Sequence, residues 1–197
     1  MLCSTIRDIL TGTEAKYGAE DAVRYKVKKN EIASKTYSEL KRDSESFSAA
    51  LKELGEQGNH IAVIGRTSYE WLVSYFGIVD GGSVADLCEL LDRADVTVLV
   101  FDEVRSDAAE MAESRCPKLK YRISMQAEED AGTILSFRRL LEKYKGEFNY
   151  TPKPDQLCTI MFTSGTTGKS KGVMLTQRNL AENATCLDMK IPERTVI

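Results

Sequence analysis

The sequence predicts an α/β fold, a doubly wound and mostly parallel sheet with flanking helices. Three observations carry that expectation. From His60 onward, short apolar runs alternate with segments of helical periodicity, the pattern of a parallel sheet with crossover helices. The run Val98-Leu99-Val100-Phe101 is continuously apolar, as a strand buried on both faces must be. The chain has 197 residues, 42% hydrophobic and 29% charged, ordinary values for a globular domain that buries its own core.

Taken in order, Thr5 to Tyr17 reads as a helix, with Ile6, Ile9 and Leu10 on one face and Gly18 as its stop. Val23, Tyr25 and Val27 alternate, Lys28-Lys29-Asn30 forms a turn, and Ile32 resumes the pattern, which predicts a hairpin over 23–37. Thr36-Tyr37-Ser38-Glu39 is a capping box. The helix behind it carries Leu40, Phe47, Leu51 and Leu54 and ends at Gly55, with small residues at 48–50 suited to a sheet. Then follow strand 60–65, helix 69–80, strand 97–101, helix 105–115, strand 121–125 and helix 136–145. Residues 145–156 turn polar, with Pro152 and Pro154. They lead to strand 158–162, a glycine-rich loop, strand 173–175 and a helix from Gln177 capped by Thr176. One stretch breaks the rhythm. After Gly81-Gly82-Ser83 only Val84-Ala85 precede Asp86-Leu87-Cys88-Glu89-Leu90-Leu91, which reads as helix and leaves too little chain for a strand and loop.

Composition narrows the function classes. A net charge of −3 supplies no basic footprint for nucleic acid. No apolar stretch reaches the roughly 18 residues of a membrane span, and the N-terminus lacks a signal-peptide pattern. The five cysteines form no CxxC pair and read as reduced thiols, so the expectation is a cytoplasmic protein. Asn149 and Asn183 stand in glycosylation sequons that match by chance. The single histidine, His60, opens an apolar run and reads as an edge or satisfied core residue; it has no partners for a triad or a zinc cluster.

The informative segment runs from Thr159 to Leu175. An apolar strand enters ten residues of only Thr, Ser, Gly and Lys, from Thr163 to Gly172, and a second strand leaves them. Glycines let amides turn inward, hydroxyls add donors and lysine adds charge, so the loop is suited to an anion and above all to polyphosphate. It is not a Walker A loop: two residues, not four, separate Gly165 from Gly168, and a strand rather than a helix follows. Another NTPase with an unusual loop stays open from these residues; AMP with pyrophosphate, against ADP, separates the two.

The segment Thr163-Ser164-Gly165-Thr166-Thr167-Gly168-Lys169-Ser170-Lys171-Gly172 resembles the phosphate-binding signature of the adenylate-forming superfamily, with Ser170 where many members carry proline. Thr36-Tyr37-Ser38-Glu39-Leu40, Ile61–Ile64, Ser68-Tyr69-Glu70-Trp71 and Gly77-Ile78-Val79-Asp80-Gly81-Gly82 resemble the N-terminal half of a long-chain acyl-CoA synthetase. The resemblance implies ATP-dependent activation of a fatty carboxylate to acyl-adenylate, then transfer to CoA; an aryl or amino acid is the alternative carboxylate. It implies phosphate contacts from Thr163, Ser164, Gly165, Thr166, Thr167, Gly168 and Lys171, a Mg²⁺ contact at Thr166 or Thr167, and Lys169 facing solvent. It divides the chain into an α/β lobe over about 1–150, a linker at 151–156 and a phosphate-binding hairpin with its helix at 157–197. It also implies a strand and a proline-containing loop that Val84-Ala85-Asp86 skips, and several hundred further residues with the adenine pocket and acyl tunnel. A piece without them is expected to be non-catalytic and to self-associate as a homodimer through an open sheet edge, aided by the strand start at Val196-Ile197.

Overall fold

The computed structural model describes residues 3–28, 31–87, 95–145, 148–163 and 171–186. Helix α1 (Ile6–Tyr17) starts where Thr5 and Asp8 satisfy each other's amides in a capping box. Strands β1 (Asp21–Lys28) and β2 (Glu31–Thr36) form the expected antiparallel hairpin; the predicted turn residues Lys29 and Asn30 lie outside the described residues. Helix α2 (Tyr37–Glu53) begins at the predicted box, with the Glu39 amide donating to Thr36 Oγ1 at 3.2 Å and the Thr36 amide to Glu39 Oε2 at 2.9 Å.

The main sheet has seven strands in the order β7-β6-β5-β3-β4-β8-β9. They are β3 (His60–Ile64), β4 (Val84–Leu87), β5 (Val96–Phe101), β6 (Tyr121–Ser124), β7 (Ile134–Ser136), β8 (Leu157–Thr163) and β9 (Lys171–Thr176). All neighbours are parallel except β8 and β9. The period of two sorts the strands onto two faces. Ile61, Val63, Val98, Val100 and Ile123 join one core with α1, α2, α3 (Tyr69–Asp80) and α5 (Phe137–Lys143). Ala62, Ile64, Leu99 and Phe101 pack on Ala108, Ala109 and Ala112 of α4 (Ser106–Arg115) on the other. Helices on both faces make the sheet doubly wound, as predicted.

Three expectations are corrected. Asp86 and Leu87 are not helical: with Val84 and Ala85 they form β4, a four-residue strand paired with both β3 and β8. The central position supplies partners on both edges, which overrides the local helical pattern; residues 88–91 of that predicted helix lie outside the described residues. β7 adds a three-residue strand, too short to leave a periodic signal before α5. Ser48 meets a helix rather than a sheet, its hydroxyl donating to Gly77 O at 2.7 Å. A Cβ at Gly77 would lie 2.8 Å from Ser44 O, and one at Gly81 would lie 3.1 Å from Ser48 Cβ, so these glycines set the approach of α3 to α2.

The C-terminal turn of α3 gathers buried polar groups. Arg7 of α1 reaches across to Asp80 Oδ2 at 2.8 Å, Glu45 Oε1 at 3.3 Å and the Phe148 carbonyl at 2.6 Å, and Lys41 also pairs with Glu45 at 3.2 Å. Asp80 is 1% exposed and its Oδ1 has no hydrogen-bond partner. Burial pushes its carboxyl up to about 6 against the pull of Arg7 and Lys41, with Glu45 adding to the rise. Gly82, at φ +82, takes the face of Tyr150, and a Cβ there would lie 2.4 Å from the ring.

Two outcomes follow. The raised Asp80 carboxyl favours the folded state while it is protonated. That contribution is full below the ordinary value of 3.8 and is lost as pH rises through about 6. Asp80→Asn therefore gains on the native protein as pH goes from 5 to 7, by about 1 kcal/mol. Paired thermal midpoints at the two pH values read this; a gap that does not move with pH contradicts it. Gly82→Ala combines a left-handed backbone with a clash on Tyr150, and is expected to destabilise by about 2 kcal/mol or more in urea unfolding. A loss under about 0.5 kcal/mol would show the turn to be loosely packed.

Candidate functional site

The parallel strands β3, β4, β5, β6 and β8 end on one edge of the sheet. Connections from the neighbouring strands β3 and β5 diverge there: α3 leads from β3 to β4 on one side across one face, while α4 leads from β5 to β6 on the other side across the opposite face. Open α/β sheets bind ligands outside the carboxyl ends of the strands near such a divergence. The two strands that flank the glycine-rich segment open on this edge. The chain leaves the carboxyl end of β8 and returns as β9, with Thr163 opposite Lys171, Phe162 opposite Gly172 and Met161 opposite Val173.

Of the predicted phosphate contacts, Thr163 closes β8 and Lys171 opens β9 as an exposed residue, so the two stand at the mouth of the loop. Ser164, Gly165, Thr166, Thr167 and Gly168, with Lys169 and Ser170, lie outside the described residues. Gly172 has the Ile160 side chain 3.1 Å from where a Cβ would be, so a glycine there permits close cross-strand packing. His60 opens β3 half-buried, at the opposite end of that strand from this edge. Cys158 of β8 is fully buried and its thiol is pushed up to about 11 by burial, which keeps it an unreactive thiol at neutral pH.

Sequence reasoning missed several groups that position this region. Tyr75 and Thr159 bring their hydroxyls within 3.1 Å, tying α3 to β8. Gln156, the last residue before β8, donates from Nε2 to Gly82 O at 2.9 Å and accepts the Tyr150 hydroxyl at 3.0 Å. Gln177, the first residue of α6 (Gln177–Cys186), is fully buried. It donates from Nε2 to Val79 O at 2.8 Å and accepts the Ile6 amide at 3.0 Å. The predicted cap of α6 is present, with the Asn179 amide donating to Thr176 Oγ1 at 3.3 Å. On the same edge Arg66 follows β3 and holds Asp102 through Nε at 3.2 Å. Burial alone raises Asp102, but the Val104 amide and Arg66 outweigh it and hold the carboxyl below its ordinary value. Glycine at 65 and acidic or basic residues directly after apolar strands were the available signal.

A separate cleft of about 600 Å³ opens between the β1–β2 hairpin, α2, α5 and the end of β6. Tyr25 and Tyr69 stack along it at 6.1 Å, and the Tyr69 hydroxyl donates to Asp43 at 2.8 Å. Burial and that bond push the Tyr69 hydroxyl far up. Four strand spacings, about 19 Å, separate β6 from β8, so this cleft is not the mouth of the glycine-rich loop. Among the described residues no group of three or more His, Cys, Asp or Glu side chains is placed to hold a metal ion, and no helix is long and apolar enough to cross a membrane.

Comparison with known proteins agrees with this geometry. A family model described as AMP-binding enzyme matches residues 12–196. The chain is 27% identical over 192 residues to a chloroplastic long-chain-fatty-acid acyl-carrier-protein ligase of Arabidopsis thaliana, covering 80% of this chain and 26% of that protein. It is 30% identical over 154 residues to a D-alanine–D-alanyl carrier protein ligase of Streptococcus pneumoniae, covering 74% of this chain and 27% of that one. The solved structure of a long-chain-fatty-acid-CoA ligase from Archaeoglobus fulgidus shares the fold with a TM-score of 0.79 at 18% identity, over 93% of this chain and 39% of that one. The chain thus spans about a quarter of the length of these curated relatives. On the family match, which takes in the hairpin and the sheet edge that carries it, the chain belongs to the AMP-binding enzyme family of adenylate-forming ligases.

Proposed function

We propose that this chain is the part of an AMP-forming ligase that receives the polyphosphate of ATP, in an enzyme that activates a long-chain fatty carboxylate and passes it to CoA. One observation carries the reading: β8 and β9, the strands that flank the Thr/Ser/Gly/Lys segment of the sequence, open at the carboxyl edge of a parallel sheet with Thr163 opposite Lys171. In the reaction a carboxylate oxygen attacks the α-phosphorus, the bond from that phosphorus to the β-phosphate oxygen breaks, and pyrophosphate leaves. The CoA thiol then attacks the acyl carbon, loses its proton and displaces AMP. The residues of the loop contribute by holding the leaving charge: amides of Gly165 to Gly168 and hydroxyls of Ser164, Thr166 and Thr167 donate, Thr163 borders them, and Lys171 supplies a positive charge at the mouth. The donor set fits Mg²⁺, a hard cation that takes one or two protein oxygens beside phosphate oxygens; Thr166 or Thr167 would be that ligand. When bound, the ion neutralises charge on the departing phosphates.

Fatty specificity is supported by the segments resembling long-chain acyl-CoA synthetases and by the Arabidopsis relative. The 30%-identical relative named for D-alanine favours an amino acid as the second reading. We further take the protein to be cytoplasmic, and to pair as a homodimer through β9. Val173 and Met174 are 44% and 64% exposed there, with Met161 of β8 at 43%. Among the described residues β9 pairs with β8 alone.

Titration with Mg²⁺-ATP tests the main reading. Removing one charged contact in Lys171→Ala is expected to weaken binding about 10- to 100-fold, while the melting temperature changes little because the residue is an exposed strand end. Unchanged affinity ends the role of Lys171, and equal loss of binding and folding makes it structural. For the dimer, sedimentation across a tenfold concentration range is expected to show a mass rising from 22.0 kDa toward twice that value, and Met174→Lys is expected to return it to the monomer. A constant monomer mass contradicts pairing through β9.

A further inference from the structure

The β8–β9 hairpin is fastened at both ends to the last turn of α3 and the residues directly after it. At its start, Gln156 donates to Gly82 O at 2.9 Å. At its end, Gln177 donates to Val79 O at 2.8 Å. The two ends are joined to each other by the Gln177 amide, which donates to Gln156 O at 3.0 Å. Gln177 also takes the Ile6 amide at the first turn of α1, so its carboxamide is satisfied on both sides while fully buried. β4 supports only the stretch of β8 from Thr159 to Met161, and β9 among the described residues has no strand on its outer side.

We propose that Gln177 is a positioning residue for the phosphate-binding loop: with Gln156 it clamps the base of the hairpin to the α3 turn and so sets where the loop stands on the sheet edge. Six to seven strand residues separate the clamp from the mouth, a lever of about 20 Å at about 3.3 Å per residue. A tilt of about 3° at the base moves the tip about 1 Å, a displacement that costs on the order of a hundredfold where groups must be aligned for reaction. A buried carboxamide with both partners made resists such tilting, because each lost bond leaves a buried peptide group unpaired. The loop's role in holding phosphate rests on the function proposed above; the clamp does not.

Hydrogen exchange by mass spectrometry on the full chain separates the two. Gln177→Leu keeps the volume and removes both bonds; exchange over residues 157–176 is expected to rise about tenfold or more while β3 and β5 stay protected. Gln177→Glu gives a second reading. Protonated, the acid donates to Val79 O and accepts from the Ile6 amide as the amide does; ionised, it faces the Val79 carbonyl without a donor. Protection over 157–176 in this variant is therefore expected to match the native protein at pH 5.5 and to fall about tenfold at pH 8.5, after correction for intrinsic rates. Mg²⁺-ATP affinity is expected to fall with it. Exchange that rises equally everywhere in the leucine variant, or a glutamate variant indifferent to pH, overturns the clamp. If the native chain binds no Mg²⁺-ATP while the exchange results hold, the phosphate reading fails and the clamp stands.

Discussion

Much of this chain hangs on the C-terminal turn of α3, from Val79 to Gly82. Its carbonyls at 79 and 82 receive the two glutamines that bracket the hairpin. Its carboxylate at 80 draws Arg7 and thereby α1 across the face of the sheet. Gly81 in the turn and Gly77 just before it let α2 approach until the Ser48 hydroxyl meets the Gly77 carbonyl. Such a turn has little freedom to be anything else. A side chain at 77 or 82 meets atoms at or under 3.0 Å, and a helix end in a buried setting needs its carbonyls occupied. The segment 148–156 meets this turn through the Gln156 carboxamide on Gly82 O and the Tyr150 ring beside Gly82, and Arg7 links the Phe148 carbonyl to Asp80.

The polar cost of that arrangement is concentrated at Asp80. Two cations and two carboxylates share the site, with Arg7 as the hub, and one oxygen of Asp80 is left without a partner. A buried pair of this kind is weak evidence for stability in itself. What it supplies is registry: Arg7 has partners only where α1, α2, α3 and the Phe148 carbonyl all converge.

The central strands were legible because the apolar runs of β3 and β5 feed two cores, and α1, α2, α3 and α5 because each carries its own start signal at Thr5, Thr36, Ser68 and Ser136. β4 was not, since its four residues are held by neighbours on both sides and not by their own pattern. The glycine-rich loop was legible from composition because few other uses combine glycine, hydroxyl and lysine in that density. The clamp was invisible for the opposite reason. Gln156 and Gln177 are ordinary polar residues in the sequence, and their meaning comes from carbonyls 74 and 98 positions away. Relatives that share the family are named for long-chain fatty acids and for D-alanine, so the loop speaks to the shared chemistry and not to the acyl group.

Receipt of polyphosphate by the hairpin loop is tested most directly with an ATP analogue that carries a reactive acyl group on its γ-phosphate. Such a probe transfers its acyl group to a lysine amine beside the bound phosphates, and peptide mapping locates the modified residue. Labelling at Lys169 or Lys171, abolished by excess ATP or pyrophosphate, is the expected result. Labelling confined to lysines of the distant cleft, such as Lys35 or Lys145, with none in the loop, would contradict it.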